Sequence, residues 1–189
     1  MNKIAIFASG RGSNAENIIK HFKKSKNIKI ELIACNNAGA KVIKRAQKHH
    51  IETLLFNKKE LTDGTVLKKL KSSKISFIVL AGFLLRIPKS IINQYLNKII
   101  NIHPSLLPLY GGKGMYGIHV HQKVAESKDL ETGITIHFVN SIYDDGGIIF
   151  QAKCSLYPKI KPKEIQKKVH NLEMKFLPRI IKDLLNGEN

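Results

Sequence analysis

Asn101, Ile102 and His103 are the part of the sequence whose residue types best suit chemistry. They close an apolar run over residues 98–102 that is typical of a buried strand, and alternation along a strand places the side chains of Asn101 and His103 on one face. An amide and an imidazole side by side can polarise a carbonyl group and stabilise the oxyanion that forms when an amine attacks it. The alternative is a pair that ends a strand and caps a proline turn, which is the commoner situation for such a pair taken alone.

An acidic turn supplies a possible partner for this pair. Asp144 and Asp145 precede two glycines and a further apolar run. A carboxylate close to His103 would favour imidazolium, raising the pKa of the ring and fixing its orientation, and it could also pass a proton through water. Asp-Gly is equally a common hairpin turn, so both interpretations remain open here.

A glycine-rich segment, Ser9-Gly10-Arg11-Gly12-Ser13-Asn14, follows the first apolar run and precedes a helical pattern. Glycines let the backbone approach an anion closely, and the start of the following helix offers free N–H groups. The segment lacks the Gly-Lys-Ser/Thr of a P-loop, and Ala15 stands where the dinucleotide fingerprint has its third glycine. Phosphate binding and a plain strand-to-helix turn are both compatible with the spacing.

Histidines raise the question of a metal. His119 and His121 share a His-x-His spacing, and His103 and His137 lie elsewhere in the chain. Neither cysteine nor acidic residues complete a recognised ligand pattern. We therefore expect no metal.

The elements that position these residues follow from hydrophobic periodicity. Apolar runs predict strands over 3–8, 28–35, 52–56, 75–80, 98–102, 134–139 and 148–155, and helical spacing predicts helices over 15–24, 39–49, 61–71, 88–96, 120–126 and 162–185. An interruption of the last helix is expected at Pro178. The alternation of strands and helices predicts a single α/β domain with a mostly parallel, doubly wound (Rossmann-like) sheet, an antiparallel C-terminal portion and a terminal helix.

Composition narrows the class of protein. The 189 residues suit one domain, and a hydrophobic fraction of 43% with 24% charged residues is ordinary for a globular protein. Lysine and arginine exceed acidic residues by 32 − 14 = 18. The positive field of these residues would attract anions, but a general bias toward lysine in the composition also explains the excess. The two cysteines, Cys35 and Cys154, lie in apolar runs, which favours buried thiols. With no signal peptide or membrane-spanning run apparent, we expect a cytoplasmic protein.

Taken together, these segments resemble the folate-dependent phosphoribosylglycinamide formyltransferases of purine synthesis. The resemblance runs from about residue 3 to residue 181 and comprises SGRGSN (9–14), LAGFLLRIP (80–88), NIHPSLLPLYGG (101–112), TGITIHFV (132–139) and DDGGIIFQAK (144–153). It implies one formyltransferase domain over 1–189 that moves a formyl group from 10-formyltetrahydrofolate to the amine of 5′-phosphoribosylglycinamide, without an acyl-enzyme. It implies no nucleic acid or membrane partner, and a monomer or weak homodimer.

The resemblance also assigns roles to residues. It implies that Asn101 and His103 stabilise the oxyanion, that His103 helps to protonate the departing folate nitrogen, and that Asp145 organises His103 and a water. The substrate-binding residues that it implies are Gly12, Ser13, Asn14, His137 and Glu173. The folate-binding residues that it implies are Leu84, Leu85, Arg86, Ile87, Asn101 and Asp145.

Several features depart from the commonest family pattern. The loop over residues 109–121 is longer than usual, and Arg86 is displaced by one residue relative to members with Met-Arg-Ile. A basic residue expected before the fourth strand has only Lys58 and Lys59 as candidates.

Three alternatives to this activity remain. A 10-formyltetrahydrofolate hydrolase would use the same centre but usually carries an N-terminal regulatory domain, and a formyltransferase for initiator transfer RNA needs a C-terminal domain. We expect neither domain from this sequence. A basic nucleotide- or RNA-binding module would explain the charge but not the order of Asn101, His103 and Asp145, and no aromatic stacking motif is apparent.

Overall fold

The computed structural model describes residues 1–187, which form a seven-stranded sheet with helices on both faces. The strands are β1 (Asn2–Phe7), β2 (Ile28–Cys35), β3 (Glu52–Leu55), β4 (Phe77–Leu80), β5 (Ile99–His103), β6 (Glu131–Phe138) and β7 (Ile148–Ser155). The helices are α1 (Ser13–Phe22), α2 (Lys41–Lys48), α3 (Lys58–Thr62), α4 (Thr65–Ser72), α5 (Lys89–Gln94), α6 (Ile118–Ser127) and α7 (Pro162–Asn186). No helix within residues 1–187 is both long and apolar enough to cross a membrane.

The strand order is β3-β2-β1-β4-β5-β6-β7. The first five strands are parallel, and β6 and β7 add to the edge in antiparallel fashion. This confirms the predicted mostly parallel, doubly wound sheet with an antiparallel C-terminal portion and a terminal helix. The chain builds outward from β1 to β3 and then returns to β4 on the other side of β1. Open α/β sheets bind ligands at the carboxyl ends of strands where the order reverses in this way, so the β1/β4 junction is where a cleft is expected.

Two buried clusters, one on each face of the sheet, hold the helices in place. One unites α1, α2, α6 and α7 with the sheet, and the other unites α3, α4 and α5 with its opposite face. Strand β4 and residues 4–7 of β1 are apolar and buried, because both of their faces are covered. Helical residues in the first cluster are Ile18, Val42, Val124 and Val169, and those in the second are Leu61, Val66, Leu70 and Ile91.

The single helix predicted over residues 61–71 is wrong, because the structure has α3 and α4 there. Gly64 separates them with a φ of 96°, a left-handed conformation that glycine adopts without a steric penalty. The carboxylate of Asp63 accepts the backbone N–H of Thr65 at 2.9 Å, which satisfies one of the free donors at the start of α4.

The interruption expected at Pro178 is also wrong, since α7 runs through it. Proline has no N–H, so the carbonyl of Met174, four residues earlier, loses its helical partner. Asn17 on α1 takes that place by donating from Nδ2 to the Met174 carbonyl oxygen at 2.8 Å. The same bond fixes the C-terminal helix against α1, directly after the glycine-rich segment.

Candidate active site

A cleft of about 710 Å³ opens at the carboxyl ends of the parallel strands. Its walls are the glycine-rich segment after β1, the turn after β4, the end of β5, the loop before α6 and one face of α7. The location is therefore the one that the strand order predicts.

His103 ends β5 inside this cleft and is 3% exposed. Its Nε2 lies 2.7 Å from the carbonyl oxygen of Tyr110, which can only accept, so Nε2 carries a hydrogen. Its Nδ1 lies 3.5 Å from Oδ2 of Asp144. Burial lowers the pKa of His103, and the Asp144 carboxylate and the Tyr110 carbonyl oppose that shift without overcoming it.

Asn101 lies two residues before His103, and its amide is held by a histidine. The Nδ2 of Asn101 is 3.1 Å from Nε2 of His137 and 3.4 Å from Oδ1 of Asp144. His137 donates from Nδ1 to the carbonyl of Phe138 at 2.8 Å, which leaves Nε2 of the neutral ring as an acceptor. The amide N–H groups of Asn101 therefore point toward His137 and Asp144.

Asp144 connects the two side chains. Its Oδ2 accepts the backbone N–H of Gly112 at 2.9 Å, while its Oδ1 lies 3.6 Å from Nε2 of His137. Burial disfavours its ionisation, but the imidazoles of His137 and His103 and the Gly112 N–H together hold the pKa of Asp144 below its usual value. A carboxylate and two imidazoles thus surround the amide of Asn101.

The carboxylate beside His103 was expected to be that of Asp145, but in the structure it is that of Asp144. Asp145 is exposed, and its carboxylate accepts from Asn140 at 3.3 Å, away from His103. Asp144 adopts a φ of 53°, a left-handed conformation, and its side chain faces His103. Nothing in the residue types of an Asp-Asp pair distinguishes which member turns inward.

The predicted phosphate-binding residues lie together on one wall of the cleft. Gly12 precedes α1 with a φ of 71°, and Ser13 and Asn14 form the first turn of that helix. Asn14 donates from Nδ2 to Oε2 of Glu173 on α7 at 3.0 Å, which brings this predicted residue to the glycine segment. His170, which the sequence did not single out, lies 2.9 Å from the same oxygen through its Nδ1. Its i, i+3 spacing to Glu173 on α7 is the signal that could have identified it.

The predicted folate-side residues divide between two cavities. Leu84 lines the larger cleft, whereas Leu85, Arg86 and Ile87 line a neighbouring cavity of about 70 Å³. His137 also lines the smaller cavity, whereas the other predicted substrate-binding residues line the larger cleft. The guanidinium of Arg86 donates to the carbonyl of Ser141, linking this segment to the turn that carries Asp144.

The two cavities meet at the catalytic candidates. Asn101 and Asp144 line both cavities, and His103 lines the larger one. In the part of the chain that the structure describes, no group of three or more His, Cys, Asp or Glu side chains is arranged to hold a metal ion. The polar centre is therefore an amide, an imidazole and a carboxylate at the junction of two binding spaces.

Comparison with known proteins places this architecture in a family. A family model described as formyl transferase matches residues 2–181. The phosphoribosylglycinamide formyltransferase of Bacillus subtilis is 35% identical, over 100% of this chain and 97% of that relative. The chloroplastic phosphoribosylglycinamide formyltransferase of Arabidopsis thaliana is 36% identical over 95% of this chain but only 64% of its own length, so the chain spans less than two thirds of that relative.

Solved structures agree with the sequence relatives. The crystal structure of glycinamide ribonucleotide transformylase 1 from Geobacillus kaustophilus superposes with a TM-score of 0.89 at 31% identity, covering 98% of this chain and 99% of that one. That of phosphoribosylglycinamide formyltransferase from Bacillus halodurans gives 0.87 at 32% identity, covering 97% and 95%. The chain belongs to the formyl transferase family, whose members are enzymes.

Proposed function

We propose that this protein is a phosphoribosylglycinamide formyltransferase of de novo purine biosynthesis. It transfers the formyl group of 10-formyltetrahydrofolate to the amine of 5′-phosphoribosylglycinamide, and it releases formylglycinamide ribonucleotide and tetrahydrofolate. The observation that carries this proposal is the junction of the two cavities at Asn101 and Asp144. Two substrates bound in the two spaces would meet at the group of side chains that can stabilise an oxyanion.

The chemistry uses groups that this chain supplies. The amine nitrogen forms a bond to the formyl carbon, and the carbonyl electrons move to the oxygen. Asn101 donates a hydrogen bond to that oxyanion through the amide N–H that faces Asp144 at the longer distance of 3.4 Å, and it keeps its shorter contact with His137. When the bond from carbon to N10 of the folate breaks, N10 takes a proton and the attacking nitrogen loses one. His103 moves this proton through water held at Asp144, and the carboxylate stabilises the imidazolium that forms in between.

The two walls suit the two substrates. The glycine segment with Ser13 and Asn14 binds the phosphate of the ribonucleotide, and Glu173 fixes Asn14 from the other side. The smaller cavity, bordered by Leu85 and Arg86, takes part of the folate. The bond from Arg86 to the Ser141 carbonyl holds the turn that borders this cavity.

We extend the proposal to the setting of the reaction. One formyltransferase domain over residues 1–189 acts in the cytoplasm as a monomer or weak homodimer. Its partners are the ribonucleotide and the folate, without a metal, nucleic acid or membrane.

Turnover of the purified protein tests the proposal. The protein is mixed with 10-formyltetrahydrofolate with and without 5′-phosphoribosylglycinamide, and tetrahydrofolate is followed while the product is identified by mass. Formylglycinamide ribonucleotide should appear only with both substrates. Release of formate without the ribonucleotide would instead identify a hydrolase.

A substitution of the central histidine tests the site. His103→Ala should lower turnover at least ~10²-fold, the scale of a lost acid–base or oxyanion group. His119→Ala is the matched control, because His119 is exposed and lies outside both cavities. Near-normal turnover of His103→Ala would remove that residue from the mechanism.

A further inference from the structure

Helix α2 holds the glycine segment through two backbone carbonyls. The N–H of Val42 donates to the Gly10 carbonyl at 3.2 Å, and Nε of Arg45 donates to the Arg11 carbonyl at 2.9 Å. Gly12 packs directly on this helix, because a Cβ at Gly12 would lie 2.5 Å from Cβ of Val42. The carbonyls that precede the proposed phosphate site are thus bound to α2.

Arg45 is itself held by a buried carboxylate. Its guanidinium pairs with Glu16, which is 8% exposed and lies in the first turn of α1, two residues after Asn14. Lys20 and His49 also approach Glu16, each at 3.3 Å. A negative charge at this end of α1 would repel a bound anion, and Arg45 is the cation that both neutralises Glu16 and contacts the glycine segment.

We propose that Arg45 is a positioning residue for the phosphate of the ribonucleotide, which rests on the proposed function of the glycine segment. It has two effects on the anion site. It holds the Arg11 carbonyl toward α2, so that the negative end of that peptide dipole does not face the phosphate. It also compensates Glu16, so that the positive end of α1 acts on the phosphate without an opposing charge.

The proposal predicts a selective kinetic effect. Arg45 lies outside both cavities, and the reacting groups are on β5 and in the turn before β7. Loss of Arg45 should therefore raise KM for the ribonucleotide and leave kcat and KM for the folate unchanged. Loss of a charge-assisted hydrogen bond corresponds to a roughly 10-fold or larger effect.

Arg45→Met and Lys44→Met form the matched pair for the experiment. Both remove one positive charge from α2, but Lys44 is exposed, and of these two side chains Arg45 is the one that bonds to the glycine segment. Steady-state kinetics with both substrates are measured for each variant. Dissociation constants of inorganic phosphate are measured by calorimetry without substrates, and melting temperatures report folding.

Arg45→Met should raise KM for the ribonucleotide and the dissociation constant of phosphate by similar factors of roughly 10 or more. Its kcat and its KM for folate should stay within about twofold of the wild type, and Lys44→Met should change none of these. Adding Glu16→Gln to Arg45→Met should recover part of the phosphate affinity, because it removes a negative charge that Arg45 no longer balances and that only Lys20 and His49 still approach. If Arg45→Met does not fold, Arg45→Lys replaces it in the experiment. Because lysine keeps the charge but lacks Nε, KM for the ribonucleotide and the dissociation constant of phosphate should rise by smaller factors.

Unchanged phosphate affinity in a folded Arg45 variant would overturn the proposal, as would an equal loss in Lys44→Met. A fall in kcat with both KM values altered would show a general structural role instead. The phosphate measurement separates this proposal from the proposed reaction. If the wild type binds phosphate and Arg45→Met does not, the positioning role of Arg45 stands even when no formyl transfer is detected. If the wild type binds no phosphate, the positioning role is overturned.

Discussion

Replacing Asp144 with asparagine removes the only charge that directly faces Nδ1 of His103 within the described residues, at 3.5 Å. Opposite unit charges at this distance attract by about 5 kcal/mol at an effective dielectric constant of about 20. Burial of the ring already holds the pKa of His103 below its ordinary value in spite of this attraction. Asp144→Asn keeps the burial and removes the attraction, so the pKa of His103 should fall further. Each unit of that fall makes imidazolium tenfold scarcer at neutral pH.

The measurements are turnover against pH and an NMR titration of the His103 ring. Turnover of Asp144→Asn should drop at least ~10²-fold, because the protonated ring is needed during proton transfer. Asparagine tolerates the left-handed backbone at this position, with its φ of 53°, so the fold should survive. Asp145→Asn is the matched control, with the same charge change on an exposed side chain, and it should stay close to wild type. An equal loss in both variants, or an unshifted His103 pKa in Asp144→Asn, would refute the reasoning.

Three further predictions follow from burial and contact. Burial lowers the pKa of His121 from 6.5 to about 4. Between these two pH values the ring is protonated in the unfolded chain but largely neutral in the folded chain. The free energy of unfolding should therefore fall by about 3 kcal/mol as pH drops from 7 to 4. Urea unfolding at several pH values should show this slope reduced in His121→Gln but not in the exposed His119→Gln. Gly12→Ala places a new Cβ 2.5 Å from Cβ of Val42. It should therefore lower the free energy of unfolding by about 1–3 kcal/mol and raise KM for the ribonucleotide. A thermal melt and steady-state kinetics measure these two effects, and an unchanged melting temperature would contradict the clash. Asn101→Ala should lower kcat by about 10²-fold with little change in either KM, and a raised KM at normal kcat would make Asn101 a binding residue instead.

Most strands of this fold were predictable because a buried strand appears in the sequence as an apolar run. The bounds predicted for residues 28–35 agree with β2, most of which is buried. Those predicted for residues 148–155 agree with β7, whose residues are exposed or half-buried. In the parallel part of the sheet, an apolar run between polar turns has few other stable positions. The boundary of β4 was less accurate, because Ile75 is buried without taking part in the sheet. Apolar character alone reports burial and not hydrogen bonding.

The prediction for the C-terminal helix was wrong because a residue distant in sequence decides whether the helix continues. Pro178 would end an isolated helix, since it leaves the carbonyl of Met174 without a donor. Asn17 supplies that donor from another helix, at 2.8 Å. A pairing over more than 150 residues leaves no local signal, so a rule based on neighbouring residues predicts a break that tertiary structure prevents.

The candidate site was predictable in its residue types but not in its register. Asn101 and His103 follow from alternation along β5, because one strand fixes the relative direction of both side chains. The carboxylate depends instead on the conformation of a turn, where one left-handed residue decides that Asp144 and not Asp145 faces the ring. Two backbone groups, the carbonyl of Tyr110 and the N–H of Gly112, complete the surroundings of His103 and Asp144, and a backbone group has no side-chain type by which to recognise it. Since those two groups belong to the loop between β5 and α6, the conformation of that loop acts directly on the protonation of His103 and Asp144.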